Sequence, residues 1–438
     1  MVDDVVCFGA GRVAGPLLAY VLRHEHDAKI TVVSSVPGEA EALCRKQCER
    51  LGPAAVADRL MPRVLDVVAD DAIVEIEQLC ASAACVVALV PEQAQTRIAR
   101  VCVAMKKPLV TASYVSDEMK QLHDAAVTAG IPILCEMGLD PGMDHMVAMK
   151  LIDQVRGEGS KVVEFSSVCG GLPAPAAANN PIKYKFSWSP QGALRAAQRP
   201  AQFLKNGELK TIAGPDLLKH REAVTHFSSY ELEQIPNGYS LVYTDLYGIP
   251  EVQSIFRGTL RFQGFCEIIH NCIQVGLLDM NSVIPANTKW SDIMDKLLAN
   301  GAVLHSATKN FCEWLGLLQS DKLTTKTQSA LEQFCDVLLE KLSFAPGETD
   351  LVLMHVGVVG ERSDGTCYSR NAFFEAMGDP NADTAMAKTV GITAAIGVHL
   401  VLHGYIQSVG VLRPTLQEVY SPCLKLLAQE GIIFSLDS

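Results

Sequence analysis

The stretch CEMGLDPGMDH, residues 135–145, decides how the first part of this chain folds. The apolar run 131–134 directly before it predicts a buried strand, and its Asp-Pro-Gly sequence predicts a tight turn. A helical pattern follows at 146–152, with Asp144 as the predicted N-cap. This order of strand, turn and helix places Asp140 at the carboxyl edge of a sheet, where open α/β proteins bind ligands. The alternative for Asp140 is a βα loop in which the aspartate only caps its helix.

The chain before this stretch alternates short apolar runs with helical patterns. The predicted strands lie at 5–8, 30–33, 85–90, 108–111 and 131–134, with a weaker one at 63–67. The predicted helices between them lie at 15–23, 38–51, 93–105 and 117–128. Such alternation is typical of βαβ units, so we predict an α/β fold with a doubly wound parallel sheet and helices on both faces.

After residue 150 the pattern changes. A strand is expected at 161–168, a long loop at 170–190, and a mixture of turns and strand at 245–262. These segments predict a second, mixed-sheet α/β domain, and the mostly helical pattern of 264–344 predicts a helical insertion. A strand at 350–359 and an apolar, small-residue helix at 384–403 follow.

Composition narrows the class of protein. With 438 residues, two or three domains are expected, and 49% hydrophobic with 20% charged residues is a globular composition. The net charge of −12 argues against a nucleic-acid partner and against attraction to anionic membranes. No apolar run is expected to span a membrane.

The fourteen cysteines show neither Cys-x-x-Cys pairs nor a metal-ligand rhythm, so no metal is predicted. Several, such as Cys7, Cys85 and Cys102, lie in apolar runs and are interpreted as buried, reduced thiols. The first strand begins almost at the N-terminus, which makes the cytoplasm the default compartment. A trimmed mitochondrial protein would have the same sequence features.

A candidate nucleotide site follows the first strand. Gly9-Ala10-Gly11-Arg12-Val13-Ala14 has the Gly-x-Gly-x-x-Gly/Ala form and opens a helix. In this form the first glycine makes the tight turn, the second lets a pyrophosphate approach the backbone, and the alanine lets the helix pack on the strand. We therefore predict a dinucleotide site, the alternative being a structural glycine-rich turn.

The sequence leaves the choice between NAD and NADP open. The second strand ends in Ser34-Ser35, without the acidic residue that holds the ribose hydroxyls of NAD. An arginine for the phosphate of NADP is missing there too, and the nearest basic residues are Arg45 and Lys46.

Seven segments together resemble the saccharopine dehydrogenase family of the glutamate-forming type, in particular the dehydrogenase half of the bifunctional lysine-degrading enzymes. They are TASYV (111–115), GLDPGMDH (138–145), CGGLPAP (169–175), NPIKYKFSW (180–188), FRGTLR (256–261), TAMAKTVG (384–391) and VLRP (411–414). They occur in order over nearly the whole chain.

The resemblance implies an architecture and a reaction. It implies a Rossmann domain of residues 1–140 plus about 385–438, a substrate domain of 141–263 plus about 345–384, and a helical domain of 264–344. Saccharopine would be oxidised by a nicotinamide cofactor to an imine, which water hydrolyses to glutamate and 2-aminoadipate 6-semialdehyde. The likeness to lysine-degrading enzymes favours NAD, with NADP possible.

The same resemblance implies roles for individual residues. The substrate contacts it implies are Ser113, Tyr114, Asp140, Thr259, Leu260, Arg261 and Lys185. The catalytic candidates are Asp140, Cys169 and Tyr114, with the general base either Asp140 or Cys169. The cofactor contacts are Gly9, Gly11, Arg12, Val13, Ala14, Ser34, Ser35, Asp66, Val67, Val90, Thr111, Ala112, Leu139 and Trp188.

Each role has a plainer alternative. Arg261, expected to clamp a substrate carboxylate, could form a surface ion pair, and Tyr114 could be a packing aromatic. Cys169 could be only a small buried residue, while Lys185 and Trp188 could be ordinary loop residues. His145 is interpreted as structural, and Lys388 as a snorkelling surface residue.

One position departs from the family. After Ile235-Pro236 the family has an arginine that grips a substrate carboxylate, where this chain has Gly238. A nearby cation (Lys183, Lys185 or Arg257) could compensate, the substrate could be another secondary-amine dicarboxylate, or activity could be low. A dinucleotide-binding regulator without turnover is the further alternative, and a homodimer through 384–403 or the helical insertion is possible.

Overall fold

Short apolar runs form the strands of a seven-stranded parallel sheet. The computed structural model describes residues 4–56, 58–299, 301–319 and 321–437. The strands of this sheet are β1 (Val5–Phe8), β2 (Ile30–Ser34), β3 (Leu60–Val64), β4 (Cys85–Ala88), β5 (Leu109–Thr111), β6 (Pro132–Leu134) and β15 (Gly410–Leu412). Their order is β15-β6-β5-β4-β1-β2-β3, which contains the 3-2-1-4-5-6 order of the Rossmann fold. The predicted doubly wound parallel sheet is confirmed.

Helices connect these strands. They are α1 (Ala14–His24), α2 (Glu39–Leu51), α3 (Pro53–Val56), α4 (Ile73–Ser82), α5 (Glu92–Met105), α6 (Asp117–Lys120), α7 (His123–Ala129), α8 (Met143–Gly157), α15 (Ala385–Leu402) and α16 (Gln417–Gln429). Every residue of β1, β2 and β4 is buried, as expected for parallel strands covered on both faces.

The C-terminal segment packs closely against the rest of this fold. Helix α15 packs on α1 and α16. A Cβ atom at Gly391 would lie only 2.4 Å from the carbonyl oxygen of Val13, so only glycine permits this approach. Ala14 is fully buried on α1, in agreement with a small residue at a packed helix start.

We expected no segment long and apolar enough to span a membrane, and α15 contradicts this expectation. Among the described residues, this helix is long and apolar enough to cross a membrane by length and composition. However, 67% of its apolar window is buried, and buried core helices pass the same test. Its apolar composition is therefore explained by packing inside the fold, while Lys388 is exposed on its surface.

A second, mixed sheet follows. Its strands are β7 (Lys161–Pro173), β8 (Ala201–Lys205), β9 (Glu208–Ile212), β10 (Glu222–Val224), β11 (Leu232–Pro236), β12 (Ser254–Phe262), β13 (Asp350–Glu361), β14 (Cys367–Met377) and β16 (Ser435–Asp437). The order is β10-β11-β12-β7-β13-β14-β16, with the β8–β9 hairpin paired to β12. Because β7 is parallel to β12 and antiparallel to β13, the predicted mixed sheet is confirmed.

Six helices accompany this sheet in the described residues: α9 (Pro190–Ala196), α10 (Val242–Leu246), α11 (Phe265–Gln274), α12 (Trp290–Leu298), α13 (Ser306–Leu315) and α14 (Ala330–Leu342). Residues of α11 to α14 share one hydrophobic core with residues of β7, β11 and β12. The predicted helical insertion over 264–344 is therefore observed and packs on the mixed sheet.

The chain divides into two compact units, Met1–Gly157 with Ala385–Ser435, and Glu158–Thr384 with Leu436–Ser438. We call them the Rossmann unit and the mixed-sheet unit. Helix α8 belongs to the Rossmann unit, where it packs on α16, whereas the predicted boundary followed residue 140. The division into three domains stays a prediction.

Three local expectations were wrong. Strand β7 continues through Gly170 to Pro173, where a long loop was expected. Gly170 fits there because it lies close against β12, where a Cβ would lie 2.7 Å from the Cβ of Leu260. Asp144 is not an N-cap, since α8 begins at Met143 and the Asp144 carboxylate accepts the Gly142 N–H at 2.6 Å. The weak strand expected at 63–67 is β3, three residues earlier.

Candidate active site

The glycine-rich turn after β1 has the geometry of a phosphate-binding turn. Gly9 has φ +114°, and a Cβ there would lie 2.5 Å from the carbonyl oxygen of Leu89. A Cβ at Gly11 would meet no atom within 4 Å, so this glycine borders open space. Val13, the N-cap of α1, offers no side-chain hydrogen bond to the first N–H groups of the helix. These N–H groups and the helix dipole fit an anionic group such as a pyrophosphate.

A cavity of about 900 Å³ opens beside this turn, within the Rossmann unit. Seven of the predicted cofactor residues line it: Gly9, Gly11, Ser34, Ser35, Asp66, Val67 and Val90. Arg12, Val13 and Ala14 continue the turn into α1. Thr111, Ala112 and Leu139 are outside the cavity lining, at the end of β5 and in the turn after β6.

Glu39 in this cavity was missed by sequence reasoning. It is the first residue of α2, and its carboxylate accepts a hydrogen bond from the hydroxyl of Ser34. The same hydroxyl accepts the N–H of Val36 at 3.1 Å, which fixes its position. A carboxylate therefore lies beside the end of the second strand, although the strand itself ends in a serine.

Tyr114 and Asp140 come together at the carboxyl edge of the parallel sheet. Tyr114 follows β5, Asp140 follows β6, and the Tyr114 hydroxyl donates to Oδ1 of Asp140 at 2.8 Å. Tyr114 is 42% exposed, so this pair is accessible from solvent. Backbone hydrogen bonds hold the turn that follows β6, including one from the Gly138 N–H to the Pro141 carbonyl at 3.0 Å. The Asp140–Pro141 peptide bond in this turn is cis.

Ser113 is positioned by a residue that sequence reasoning also missed. Nε2 of the buried Gln95 donates to Oγ of Ser113 at 2.7 Å, and the Thr111 hydroxyl donates to Oε1 of Gln95 at 2.9 Å. Thr111 therefore acts on Ser113 through Gln95, a connection from α5 that neighbouring positions in the sequence do not reveal.

Behind the turn lies a buried charge cluster. Glu136, 3% exposed and with φ +60°, accepts hydrogen bonds from Nε of Arg413 at 2.8 Å and from the N–H of Val115 at 3.0 Å. Nε2 of His145 lies 2.8 Å from the other carboxylate oxygen. Burial alone would raise the pKa of Glu136, but the contacts with His145, Arg413 and Val115 outweigh it and hold the pKa at about 2.

The mixed-sheet unit aligns three further candidates. Thr259 on β12 is the register partner of Cys169 on β7, and Arg261 follows on the same face of β12. Cys169 is 7% exposed, and Thr259 is half-buried. Leu260 points to the opposite face, where its side chain is fully buried in the core, so only its backbone is available to a ligand.

Arg261 is not a surface residue, so the surface ion pair considered for it is wrong. It is 5% exposed, its Nη1 donates to the carbonyl of Leu260 at 2.7 Å, and its guanidinium lies 4.9 Å from the ring centre of Tyr184. Within the described residues its Nε has no hydrogen-bond partner. A buried guanidinium with an unused donor suits an anionic ligand.

The cations considered near Gly238 already have partners. Nζ of Lys185 lies 2.5 Å from Glu348, Nζ of Lys183 lies 3.6 Å from Glu231, and Nη1 of Arg257 donates to the hydroxyl of Tyr243. Trp188, 39% exposed, donates from Nε1 to the hydroxyl of Tyr184 at 3.3 Å.

Arg199 is the cation beside Gly238. A Cβ at Gly238 would lie 3.8 Å from Cδ of Arg199. Arg199 is exposed, and its guanidinium makes no hydrogen bond or ion pair with the described part of the chain. Sequence spacing gave no signal for this neighbour, which lies 39 positions away in the chain.

Comparisons with known proteins agree with this geometry. The model of the saccharopine dehydrogenase NADP binding domain matches residues 5–134, and that of the saccharopine dehydrogenase C-terminal domain matches 138–432. The mitochondrial alpha-aminoadipic semialdehyde synthase of Bos taurus is 32% identical over 456 residues, which cover 99% of this chain and 48% of that protein. The chain thus spans about half the length of this relative.

A yeast sequence and a solved yeast structure match over nearly their whole length. Saccharopine dehydrogenase [NADP(+), L-glutamate-forming] of Saccharomyces cerevisiae is 32% identical, covering 99% of this chain and 98% of that protein. The solved structure of apo histidine-tagged saccharopine dehydrogenase (L-Glu forming) from the same organism has a TM-score of 0.87 at 30% identity, covering 99% of each chain.

The strand order, the glycine-rich turn and the cavity beside it define a nicotinamide-dinucleotide-binding protein of the Rossmann type. Within this class, the matched domains and the full-length relatives assign the family. The chain belongs to the saccharopine dehydrogenase family.

We predict that Glu136→Gln lowers the free energy of unfolding at neutral pH by about 3 kcal/mol, because a carboxyl whose pKa falls from 4.5 to about 2 on folding stabilises the folded state by about that amount. The carboxyl has a pKa of about 2 in the folded protein against its ordinary 4.5, so its stabilisation is complete above pH 4.5 and is lost as the pH falls towards 2. Urea unfolding at a series of pH values measures this. Glu75→Gln, at an exposed position on α4, is the control, and a pH dependence unchanged by Glu136→Gln would contradict the prediction.

Proposed function

We propose that this protein is an L-glutamate-forming saccharopine dehydrogenase, oxidising saccharopine with a nicotinamide cofactor in lysine degradation. The observation that carries the proposal is the Tyr114–Asp140 pair, which lies at the same sheet edge as the glycine-rich turn. Family membership supports the substrate, since full-length relatives carry this activity in their names.

The residues fit the groups of the substrate. Saccharopine has three carboxylates and one secondary amine. In the mixed-sheet unit, the buried guanidinium of Arg261 and the hydroxyl of Thr259 would hold a carboxylate, since a charge-assisted contact in a dry site is stronger than a neutral one. When bound, the nicotinamide cofactor accepts a hydride from the carbon beside the amine nitrogen.

Proton transfer would fall to the Tyr114–Asp140 pair. The Asp140 carboxylate, held by the Tyr114 hydroxyl, would take the amine proton as the carbon–nitrogen single bond becomes an imine. That proton passes to solvent, so the carboxylate can next take a proton from the water that attacks the imine carbon and pass it to the nitrogen, which gives a carbinolamine. Transfer of the carbinolamine hydroxyl proton to the nitrogen then breaks the carbon–nitrogen bond. Cleavage of that carbon–nitrogen bond releases glutamate and the semialdehyde. We favour Asp140 over Cys169 as base because Cys169 is 7% exposed on the face of a sheet.

The test is formation of reduced cofactor from saccharopine at alkaline pH, which favours the proton-releasing direction. We expect turnover by the wild type, a loss of about 10²–10⁴-fold in kcat for Asp140→Asn, and a smaller loss for Tyr114→Phe. Asp124→Asn, at an exposed position on α7, should have no effect.

If the protein binds a dinucleotide but forms no reduced cofactor from saccharopine, the proposal is overturned. Turnover of another secondary-amine dicarboxylate would then indicate a related oxidoreductase, which the glycine at position 238 favours as the second candidate. Binding without turnover of any such adduct would indicate a regulator.

We further propose NAD as the preferred cofactor. The carboxylate of Glu39 lines the cavity together with Ser34 and Ser35. An acid at the end of the second strand accepts hydrogen bonds from the ribose hydroxyls of NAD and repels the phosphate of NADP. The matched family model and the yeast relatives carry NADP in their names, so a preference for NAD would distinguish this chain from them.

Replacing Glu39 tests this preference. We expect Glu39→Gln to lower the ratio of kcat/KM with NAD to kcat/KM with NADP by about 10–100-fold, as removal of a repulsion of about 1.4–3 kcal/mol predicts. Steady-state kinetics with both cofactors measures the ratio. Glu49→Gln, at an exposed position on the same helix, should leave it unchanged. A wild type that prefers NADP, or a ratio insensitive to Glu39→Gln, would contradict the assignment.

Arg199 is proposed to supply the carboxylate contact that Gly238 lacks. The observation is its position beside Gly238 without a protein partner in the described residues. Gly238 has φ +59°, so an arginine side chain at position 238 would be strained, by about 1–2 kcal/mol. A cation reaching the same place from position 199 avoids that strain.

We expect Arg199→Ala to raise KM for saccharopine by about 10–100-fold with little change in kcat, the pattern for a contact equal in ground and transition states. KM for the cofactor should stay the same. Arg195→Ala, an exposed arginine on α9, is the matched control. Equal effects of the two substitutions would exclude a specific role for Arg199.

The cytoplasm and a homodimer remain proposals. The bovine relative is mitochondrial by name, whereas the yeast names state no compartment. The buried free thiols of Cys7, Cys85 and Cys102 suit either reducing compartment. Cell fractionation and sedimentation of the purified chain would decide these two points.

A further inference from the structure

Three potential metal ligands meet far from the cofactor turn. Nδ1 of His399 lies 2.6 Å from Oε1 of Glu25, and Nε2 of His403 lies 3.0 Å from Oε2 of the same carboxylate. The ligand atoms of the three residues all lie within 4.8 Å of one another. The sequence spacing predicts no metal site because Glu25 and His399 are 374 positions apart.

Helix geometry brings the two histidines together. His399 is in the last turn of α15 and His403 follows one turn later, with its N–H donating to the His399 carbonyl at 3.0 Å. Residues four apart lie on the same face of a helix, and their rings have centroids 4.3 Å apart. This spacing is the one by which helices present paired histidines to a metal.

Glu25 is held in place by its backbone. It caps the C-terminus of α1, its N–H donates to the Val21 carbonyl at 2.8 Å, and its carbonyl accepts from Nη2 of Arg59. Its side chain is 5% exposed, and both carboxylate oxygens point to the histidines. The carboxylate is thus preorganised, since no large rearrangement is needed to present it.

The electrostatic setting favours a cation. The C-terminal ends of α1 and α15 meet here, and each helix end carries partial negative charge. The neighbouring acid, Glu430, is already occupied by Arg23 at 2.8 Å and His24 at 3.1 Å. The charge of Glu25 therefore has no arginine or lysine partner among the described residues.

We propose that Glu25, His399 and His403 bind one divalent transition-metal ion of the Zn²⁺ type. Two imidazoles and one carboxylate are a known ligand set for this ion, with metal–ligand distances of about 2.0–2.2 Å. Donors around a tetrahedral ion of that size lie about 3.3 Å apart, so the separations of 2.6 Å to His399 and 3.0 Å to His403 would open by about 0.7 Å and about 0.3 Å. Water would fill the fourth position, because the side chain of His403 is 46% exposed.

The proposed ion is structural. It lies at the C-terminal end of α1, whereas the glycine-rich turn lies at the N-terminal end, about 16 Å away for an eleven-residue helix. It would join α1 to α15, and so would stabilise the packing of the C-terminal segment on the Rossmann unit. A ligand that binds only the folded state raises the unfolding temperature.

The test uses the untagged full chain, stripped of metal by a chelator. After equilibrium dialysis against micromolar Zn²⁺, we expect about one bound ion per chain and a rise in the unfolding temperature, with no such rise in Mg²⁺. His403→Ala and Glu25→Gln should each lower zinc affinity by about 10-fold or more. Circular dichroism of the metal-free variants checks that they fold.

Two controls separate this site from other metal-binding groups. His220→Ala removes an exposed histidine in the mixed-sheet unit, and should leave binding unchanged. Cys44→Ser with Cys48→Ser removes a pair of thiols four residues apart on α2, and should also leave it unchanged. The absorption of Co²⁺-loaded protein distinguishes the two ligand types, because thiolate ligation adds an intense near-ultraviolet band.

The proposal is overturned if zinc binds the wild type and the His403→Ala and Glu25→Gln proteins equally, or if the thiol pair accounts for the bound ion. It is also overturned if less than half an equivalent binds. In that case the three residues form only two hydrogen bonds between the Glu25 carboxylate and the histidines. None of these readouts depends on enzymatic turnover, so failure of the metal site and failure of the proposed function are distinguishable.

Discussion

The buried carboxylate of Glu136 is the contact on which the geometry of the candidate site depends. It joins three parts of the Rossmann unit: the turn after β6, helix α8 through His145, and the segment after β15 through Arg413. A buried charge is tolerated only when it is paired and hydrogen-bonded, so these groups must stay in place together. Asp140 is four residues further along the same turn. The position of the proposed base is therefore set by a cluster whose carboxylate and imidazole are buried.

In the same unit, the groups proposed for cofactor binding lie apart from those proposed for proton transfer. The glycine-rich turn and the uncapped N-terminus of α1 present N–H groups at one part of the sheet edge, whereas Tyr114 and Asp140 present a hydroxyl and a carboxylate at another. Both sets lie at the carboxyl ends of parallel strands, where the strand connections bring loops from different parts of the chain together. In the mixed-sheet unit, the register between β7 and β12 aligns Cys169 with Thr259 in a similar way.

Two changes of charge bear on the proposed cofactor and substrate preference. Glu39 places a carboxylate in the cofactor cavity, and Gly238 removes a cation that the family is expected to have. In both cases the decisive side chain is outside the motif: Glu39 follows the strand end by five residues, and Arg199 reaches Gly238 from another loop. Cofactor and substrate preference would then be decided by residues that the motifs of the family do not include.

Apolar periodicity and glycine placement determined much of this protein from the sequence alone. The parallel sheet, the phosphate-binding turn, the mixed sheet and the helical insertion could be predicted because strands, turns and helices depend mainly on residues close together in the chain. Prediction from the sequence failed where a residue far away in the chain decides the local structure. Gly170 and Gly171 were expected in a loop because glycine is a turn residue, yet both lie in β7, and at Gly170 the neighbouring β12 leaves no room for a side chain. The pairings of Glu136 with Arg413, Tyr114 with Asp140, and Glu25 with His399 were likewise decided only by the tertiary structure. Hydrogen bonds and ion pairs act over about 3 Å in space, whatever the separation along the chain, and local patterns carry no record of them.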